Sequence, residues 1–148
     1  MTTAPALAPG PTGHPGRWAR VRPPVLLAGL VLGASVALHL RDPHRSGSWG
    51  FCPWLVLTGT YCPGCGGLRA VNDLTRGDLR AAASSNLLFV GSIPLVLLLW
   101  TRWLRDAWTG RQRTTAPRRI AYGAVVLAVV AVAFTVLRNT SYGAWLAP

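Results

Sequence analysis

Neither lysine nor glutamate occurs in this sequence: all fifteen basic residues are Arg and all four acidic residues are Asp. So few carboxylates leave nothing to pair for general acid–base work. None of Asp42, Asp73, Asp78 and Asp106 falls inside an apolar run, where a proton-relay transporter would need one. There is no Gly-rich phosphate loop ahead of a helix and no H-E-x-x-H pair of a metalloprotease. Cysteine is also scarce, with three in 148 residues, so a second cysteine pair that could relay electrons away from a first is missing. The Arg-only, Ala-, Gly- and Pro-rich composition suggests a GC-rich bacterial genome.

Charge as a whole is low. Only 13% of residues are charged, against about a quarter in soluble domains, while 51% are hydrophobic. The apolar residues gather in three runs of about 16 to 20 residues rather than at the periods of a soluble core, so lipid is the expected solvent. The +11 net charge raises nucleic acid as a partner. However, the Arg residues flank the apolar runs and form no basic face interleaved with aromatics, which points to headgroups and excludes nucleic acid. Six of the seven Trp residues (Trp18, Trp49, Trp54, Trp100, Trp103 and Trp145) lie near the ends of these runs, where an amphipathic ring prefers the interface.

These patterns predict an all-α fold: a small polytopic membrane protein with about three transmembrane helices and a short interfacial helix. Residues 1–22 read as a disordered cytoplasmic tail, rich in Pro and Gly and closed by Arg17, Arg20 and Arg22. Residues 23–148 form one membrane domain. Its first helix is predicted over Pro23–Leu40, with Pro23 and Pro24 in the first turn, where a missing N–H costs nothing. Eighteen residues at about 1.5 Å each give about 27 Å, enough for a thin hydrocarbon core. Ser35-Val36-Ala37 has the spacing of a signal-peptidase site but lies inside the apolar run, which argues against cleavage. The second helix is predicted to wind without a break over 79–104 from an Asp78 N-cap, with Pro94 kinking it or freeing a carbonyl. The third is predicted over Ile120–Leu137.

The N-terminal tail and the second loop hold nine Arg, against six in the first loop and the C-terminal tail. This bias predicts a multi-pass protein of the cytoplasmic membrane, with a cytoplasmic N-terminus and an outward-facing cysteine segment. Small residues four apart, Gly29 and Gly33 in the first helix and Ala124 and Ala128 in the third, allow close helix approach. They would pack the three helices together or build a homo-oligomer or a contact with another membrane protein.

The remaining chemistry lies in the cysteine segment, residues 49–76. Trp49–Tyr61 is apolar but too short to span, which suits an interfacial or re-entrant segment. Cys62-Pro63-Gly64-Cys65-Gly66 follows, and Leu68, Val71 and Leu74 at helical spacing predict a short amphipathic helix from about Gly64 to Thr75. That places Cys62 and Cys65 at a helix start, where the dipole and Arg69 would favour a thiolate. Arg69 and Asp73, four apart, read as an ordinary helical ion pair, and His39 and His44 as ordinary helix-end and loop residues.

Cys52-Pro53, Leu57-Thr58-Gly59, Cys62-Pro63-Gly64-Cys65-Gly66, Arg69-Ala70, Arg76-Gly77-Asp78-Leu79 and Asn86 together resemble the small bacterial membrane proteins of the domain of unknown function 2752. Arg138-Asn139 and Trp145-Leu146 resemble that family's end. Gly67-Leu68 departs from the aliphatic-Thr pair usual before the Arg, removing a potential hydroxyl ligand or cap. The resemblance implies a membrane protein without an established activity.

Three chemistries stay open. One is a disulfide from Cys62 to Cys65 or Cys52 that staples an outward loop and supports an assembly or interaction role. Another is a zinc site built from Cys52, Cys62 and Cys65, with His44 as a further donor. The third is a thiol–disulfide oxidoreductase, similar in outline to quinone-linked disulfide-forming proteins, with Cys62 or Cys65 attacking and Cys52 resolving.

Overall fold

The computed structural model describes residues 16–45, 47–49, 51–111 and 116–147. Most of the proposed N-terminal tail lies outside the described residues. Six α-helices follow in order: α1 Arg17–Leu40, α2 Pro53–Thr58, α3 Gly67–Thr75, α4 Leu79–Ser85, α5 Leu87–Thr109 and α6 Pro117–Arg138. A 3-10 turn, Ser141–Leu146, closes the chain, and no strand occurs among the described residues.

Three of the helices, α1, α5 and α6, are long and apolar enough to cross a membrane. Their 24, 23 and 22 residues correspond to about 36, 35 and 33 Å of rise, which exceeds an average hydrocarbon core. The fold is all-α with multiple candidate spans, as the hydropathy indicates. The end of α1, the start of α5 and the end of α6 meet at one end of the molecule, and α2, α3 and α4 form a small layer over them.

The helix limits depart from the sequence expectation in three places, each with a local cause. α1 begins at Arg17, not Pro23, so both prolines lie in its interior. The extra turns are held from outside: Arg20 Nε donates to the Ala107 carbonyl at 3.2 Å, Arg17 lies over the Trp108 ring at 4.9 Å, and Trp100 Nε1 donates to the Pro24 carbonyl at 3.1 Å. Arg20 thus satisfies a carbonyl left open at the end of α5. Gly110 caps that end in the left-handed region, φ 74°, and a side chain there would run into the Arg20 guanidinium.

The predicted continuous helix over 79–104 is broken at Asn86, whose backbone is extended at φ −160°. Asn86 N closes α4 on the Ala82 carbonyl, while its side chain accepts from Phe89 N at 2.9 Å and starts α5. Helix propensity loses here to a residue that serves as C-cap and N-cap at once. The predicted helix from Gly64 starts only at Gly67, because Gly66, at φ 81°, takes a left-handed turn that few other residues adopt.

The small-residue stripes do not pack the helices of one chain together. The less exposed residues of α1 are Arg20, Val21, Pro24, Ala28, Ser35 and Leu38, which recur on one helical face, whereas Gly29 and Gly33 are exposed with nothing within 4 Å of an added Cβ. Ala124 and Ala128 are exposed on α6, whose apolar window is unburied over its full length.

α3 and α4 form a hairpin through Gly77 that buries Ala70 and Ala82 completely. Asn72, also fully buried, ties α3 to α1 by donating to the Leu38 carbonyl at 2.6 Å and accepting from Arg76 Nε at 2.9 Å. Replacing it by Ala strands that carbonyl, a loss of about 1–3 kcal/mol. Asn72→Ala is therefore expected to lower the thermal midpoint of the detergent-solubilised protein, and an unchanged midpoint would show that the α1–α3 contact carries no stability.

Candidate functional site

Cys52 is the residue just before α2, with Pro53 opening the helix. Cys62 and Cys65 lie in the turn before α3, not at its start as the spacing suggested, and Gly66 intervenes as N-cap. The turn closes on itself: Cys65 N donates to the Cys62 carbonyl at 3.2 Å, and Cys62 N donates to Cys65 Sγ at 3.3 Å. Folding α2 back over this turn completes a triangle of sulfurs: 3.0 Å between Cys62 and Cys65, 3.5 Å between Cys65 and Cys52, and 3.7 Å between Cys52 and Cys62. All three are free thiols, and their sulfurs lie within 4.8 Å of one another.

The turn is gripped from two spanning helices. Asn86 Nδ2 donates to the Pro63 carbonyl at 2.9 Å and the Cys65 carbonyl at 3.0 Å. Arg138, the last residue of α6 and 1% exposed, donates from Nη1 to the carbonyls of Cys62 at 2.9 Å and Cys65 at 3.2 Å, and from Nη2 to Leu146 at 3.0 Å. Its guanidinium also faces the rings of Phe134 at 4.9 Å and Tyr61 at 5.6 Å. Next to it, Asn139 accepts from Tyr61 N at 2.8 Å and donates to the Tyr61 carbonyl at 2.9 Å. Among the described residues no carboxylate pairs with Arg138, and its Nε has no acceptor.

Of the residues singled out from the sequence, the three cysteines and Arg69 line one cavity of about 510 Å³, together with His44 and Trp49. Arg69 makes no ion pair with Asp73. Instead Asp73 is buried and accepts from His44 Nε2 at 2.8 Å and from the Ser85 hydroxyl at 2.8 Å, so the expected i, i+4 pair gives way to contacts between α3, α4 and the loop after α1. His44 is more than an ordinary loop residue, and His39 bonds Thr75 at 2.9 Å. Asp78 caps α4 by accepting from Ala81 N at 2.8 Å, away from the sulfurs. Gly29, Gly33, Ala124 and Ala128 contribute nothing to the cavity lining.

Sequence reasoning missed Ser85, the pairing of His44 with Asp73, and the hold of Asn86 and Arg138 on the cysteine turn. A polar residue at the end of an apolar run was the available signal for Arg138 and Asn86. It reads equally as a headgroup-facing side chain, and only the tertiary fold separates the two.

The thiols are not equivalent. The Leu55 N–H at the start of α2, with hydrogen bonds from Cys65 and Cys62, draws the Cys52 thiol below its ordinary pKa. Burial, reinforced by hydrogen bonds with Cys62 and Cys52, pushes Cys65 up to about 12. The helix-start thiolate expected of Cys65 is thus overturned by desolvation, and the favourable N–H environment belongs to Cys52. Under reducing conditions at pH 8, Cys52 is expected to alkylate faster than Cys65. Mass-tag kinetics on the single-cysteine proteins measure this, and a Cys65 as fast as Cys52 would contradict the assignment.

No curated protein and no solved structure matches the chain. A family model does: it covers residues 52–100, from Cys52 through α3 and α4 into α5, and so holds the three cysteines, Asp73 and Asn86 but neither His44 nor Arg138. The cysteine-bearing segment of this chain matches the family described as a protein of unknown function, domain of unknown function 2752.

Proposed function

We propose that this membrane protein carries a thiolate metal centre, formed by Cys52, Cys62 and Cys65 at the membrane surface, that ties the interfacial layer to the ends of α5 and α6. The observation that carries the reading is the sulfur triangle. A tetrahedral zinc ion with bonds of about 2.3 Å sets its sulfurs about 3.8 Å apart, and the 3.5 and 3.7 Å edges approach that spacing. Thiolate ligands favour zinc among the common divalent ions.

Charge supports it as well. The carbonyls and rings around the buried Arg138 guanidinium bring no formal negative charge, so an anion nearby would stabilise it further. Three thiolates around a divalent ion carry one net negative charge, which Arg138 offsets. The reading makes the centre a structural or assembly element rather than an enzyme.

The 3.0 Å contact favours a second reading, a Cys62–Cys65 disulfide, which requires the sulfurs to close to about 2.05 Å. Cys52 would then be a third thiol beside that bond, but it lies off the Cys62–Cys65 axis rather than in line for attack, and the chain holds no further pair to receive the electrons. Orientation bears on this choice. With Arg138 inside the protein, the Arg bias leaves the N-terminus cytoplasmic and the cysteines facing outward, where oxidation competes with metal.

Full-length protein purified in detergent without chelator is expected to hold one zinc per chain by elemental analysis. Cys62→Ser should lose it, and Arg138→Gln should bind it about 10- to 100-fold more weakly, the usual cost of an outer partner. Mass-tagging that labels Cys62 and Cys65 only after reduction would replace the metal centre with the disulfide. In intact cells, a membrane-impermeant thiol reagent is expected to reach single-cysteine Cys52 protein. Labelling only after lysis would reverse the orientation.

A further inference from the structure

Three thiolates leave a tetrahedral ion one ligand short. His44 lies on the wall of the cavity that the three cysteines line, and the geometry around its ring is that of an oriented ligand. Its Nε2 donates to Asp73 Oδ1 at 2.8 Å, so that in the neutral imidazole the proton sits on Nε2 and Nδ1 carries the lone pair. Asp73 is fixed in turn, its other carboxylate oxygen accepting from the Ser85 hydroxyl at 2.8 Å. The His44 backbone is pinned by its N–H to Asp42 Oδ1 at 2.9 Å.

The burial is asymmetric, with the Asp73 side chain 7% exposed and that of His44 42%. Burying a carboxylate against a half-exposed partner costs about what the pair returns, so the contact adds little to stability. What the arrangement does secure is one tautomer and one ring orientation. That is the role carboxylates play behind metal-bound histidines.

We propose that His44, through Nδ1, is the fourth ligand of a divalent metal ion held by Cys52, Cys62 and Cys65, with Asp73 and Ser85 as positioning residues. This rests on the reading of the cysteines as a metal centre. On binding, the three thiol protons leave to solvent and the imidazole donates its lone pair without changing charge, so the complex keeps the single negative charge that faces Arg138. His44 lies outside the cluster whose sulfurs are within 4.8 Å of one another, so ligation brings the ring and the sulfurs closer across the cavity.

Cobalt(II), added to the full-length protein in detergent, is the probe, because its ligand-field bands report the donor set separately from its thiolate charge-transfer bands. His44→Ala is expected to keep the charge-transfer intensity of three thiolates, shift the ligand-field envelope and open a position that added imidazole fills. Affinity should fall by more than the about 10- to 100-fold typical of losing an outer partner. Asp73→Asn should weaken binding within that range while leaving the donor set unchanged, and His44→Cys should restore tight binding with a fourth thiolate band. If His44→Ala matches the parent in both envelope and affinity while Cys62→Ser abolishes binding, His44 is not a ligand and the cysteine centre stands. If the parent protein shows no thiolate–cobalt band at all, both readings fall.

Discussion

The grip of Arg138 on the Cys62 and Cys65 carbonyls is the contact on which the rest of the site depends. The peptide groups of a tight turn are poorly served by their own hydrogen bonds, and within the Cys62–Cys65 turn the only backbone–backbone bond made is from Cys65 N to the Cys62 carbonyl. The guanidinium reaches the Cys62 and Cys65 carbonyls from one side, and Asn86 reaches Pro63 and Cys65 from another. Holding the carbonyls holds the backbone from which Cys62 and Cys65 project. The cost is a cation removed from water at the end of a spanning helix, offset by the carbonyls it grips and the Phe134 and Tyr61 rings it faces.

A similar economy appears at Asn86. In an uninterrupted helix over 79–104 the Asn86 backbone would be spent on the helix's own ladder. Breaking the helix at that residue lets one amide group cap α5 with its oxygen and hold the cysteine turn with its nitrogen. Local helical preference yields to a contact between residues more than twenty positions apart in sequence, of the kind by which tertiary structure commonly overrides propensity.

The transmembrane content was legible because hydropathy is a local property: each apolar run declares itself whatever its neighbours do. The cysteine motif was legible as a cluster, and Asp78 as a cap, for the same reason. What the sequence concealed is all long-range. Arg20 extends α1 because Ala107 happens to be opposite it, Asp73 forsakes Arg69 for His44 and Ser85, and Arg138 turns inward instead of toward headgroups. A charge at the end of an apolar run looks the same in either role, and burial alone distinguishes them. The thiol assignment failed by the same route: helix position predicted a reactive Cys65, but desolvation outweighs the dipole there and the favourable N–H groups serve Cys52.

The site is assembled from parts spread over most of the chain. Its sulfurs are complete by residue 65, but its grip waits for residue 138, and α6 joins the rest chiefly through its final turn. During synthesis the turn therefore leaves the ribosome well before its anchor, and only insertion of the last helix in the correct direction delivers Arg138 to the same side of the bilayer. Correct topology and a finished site become a single event.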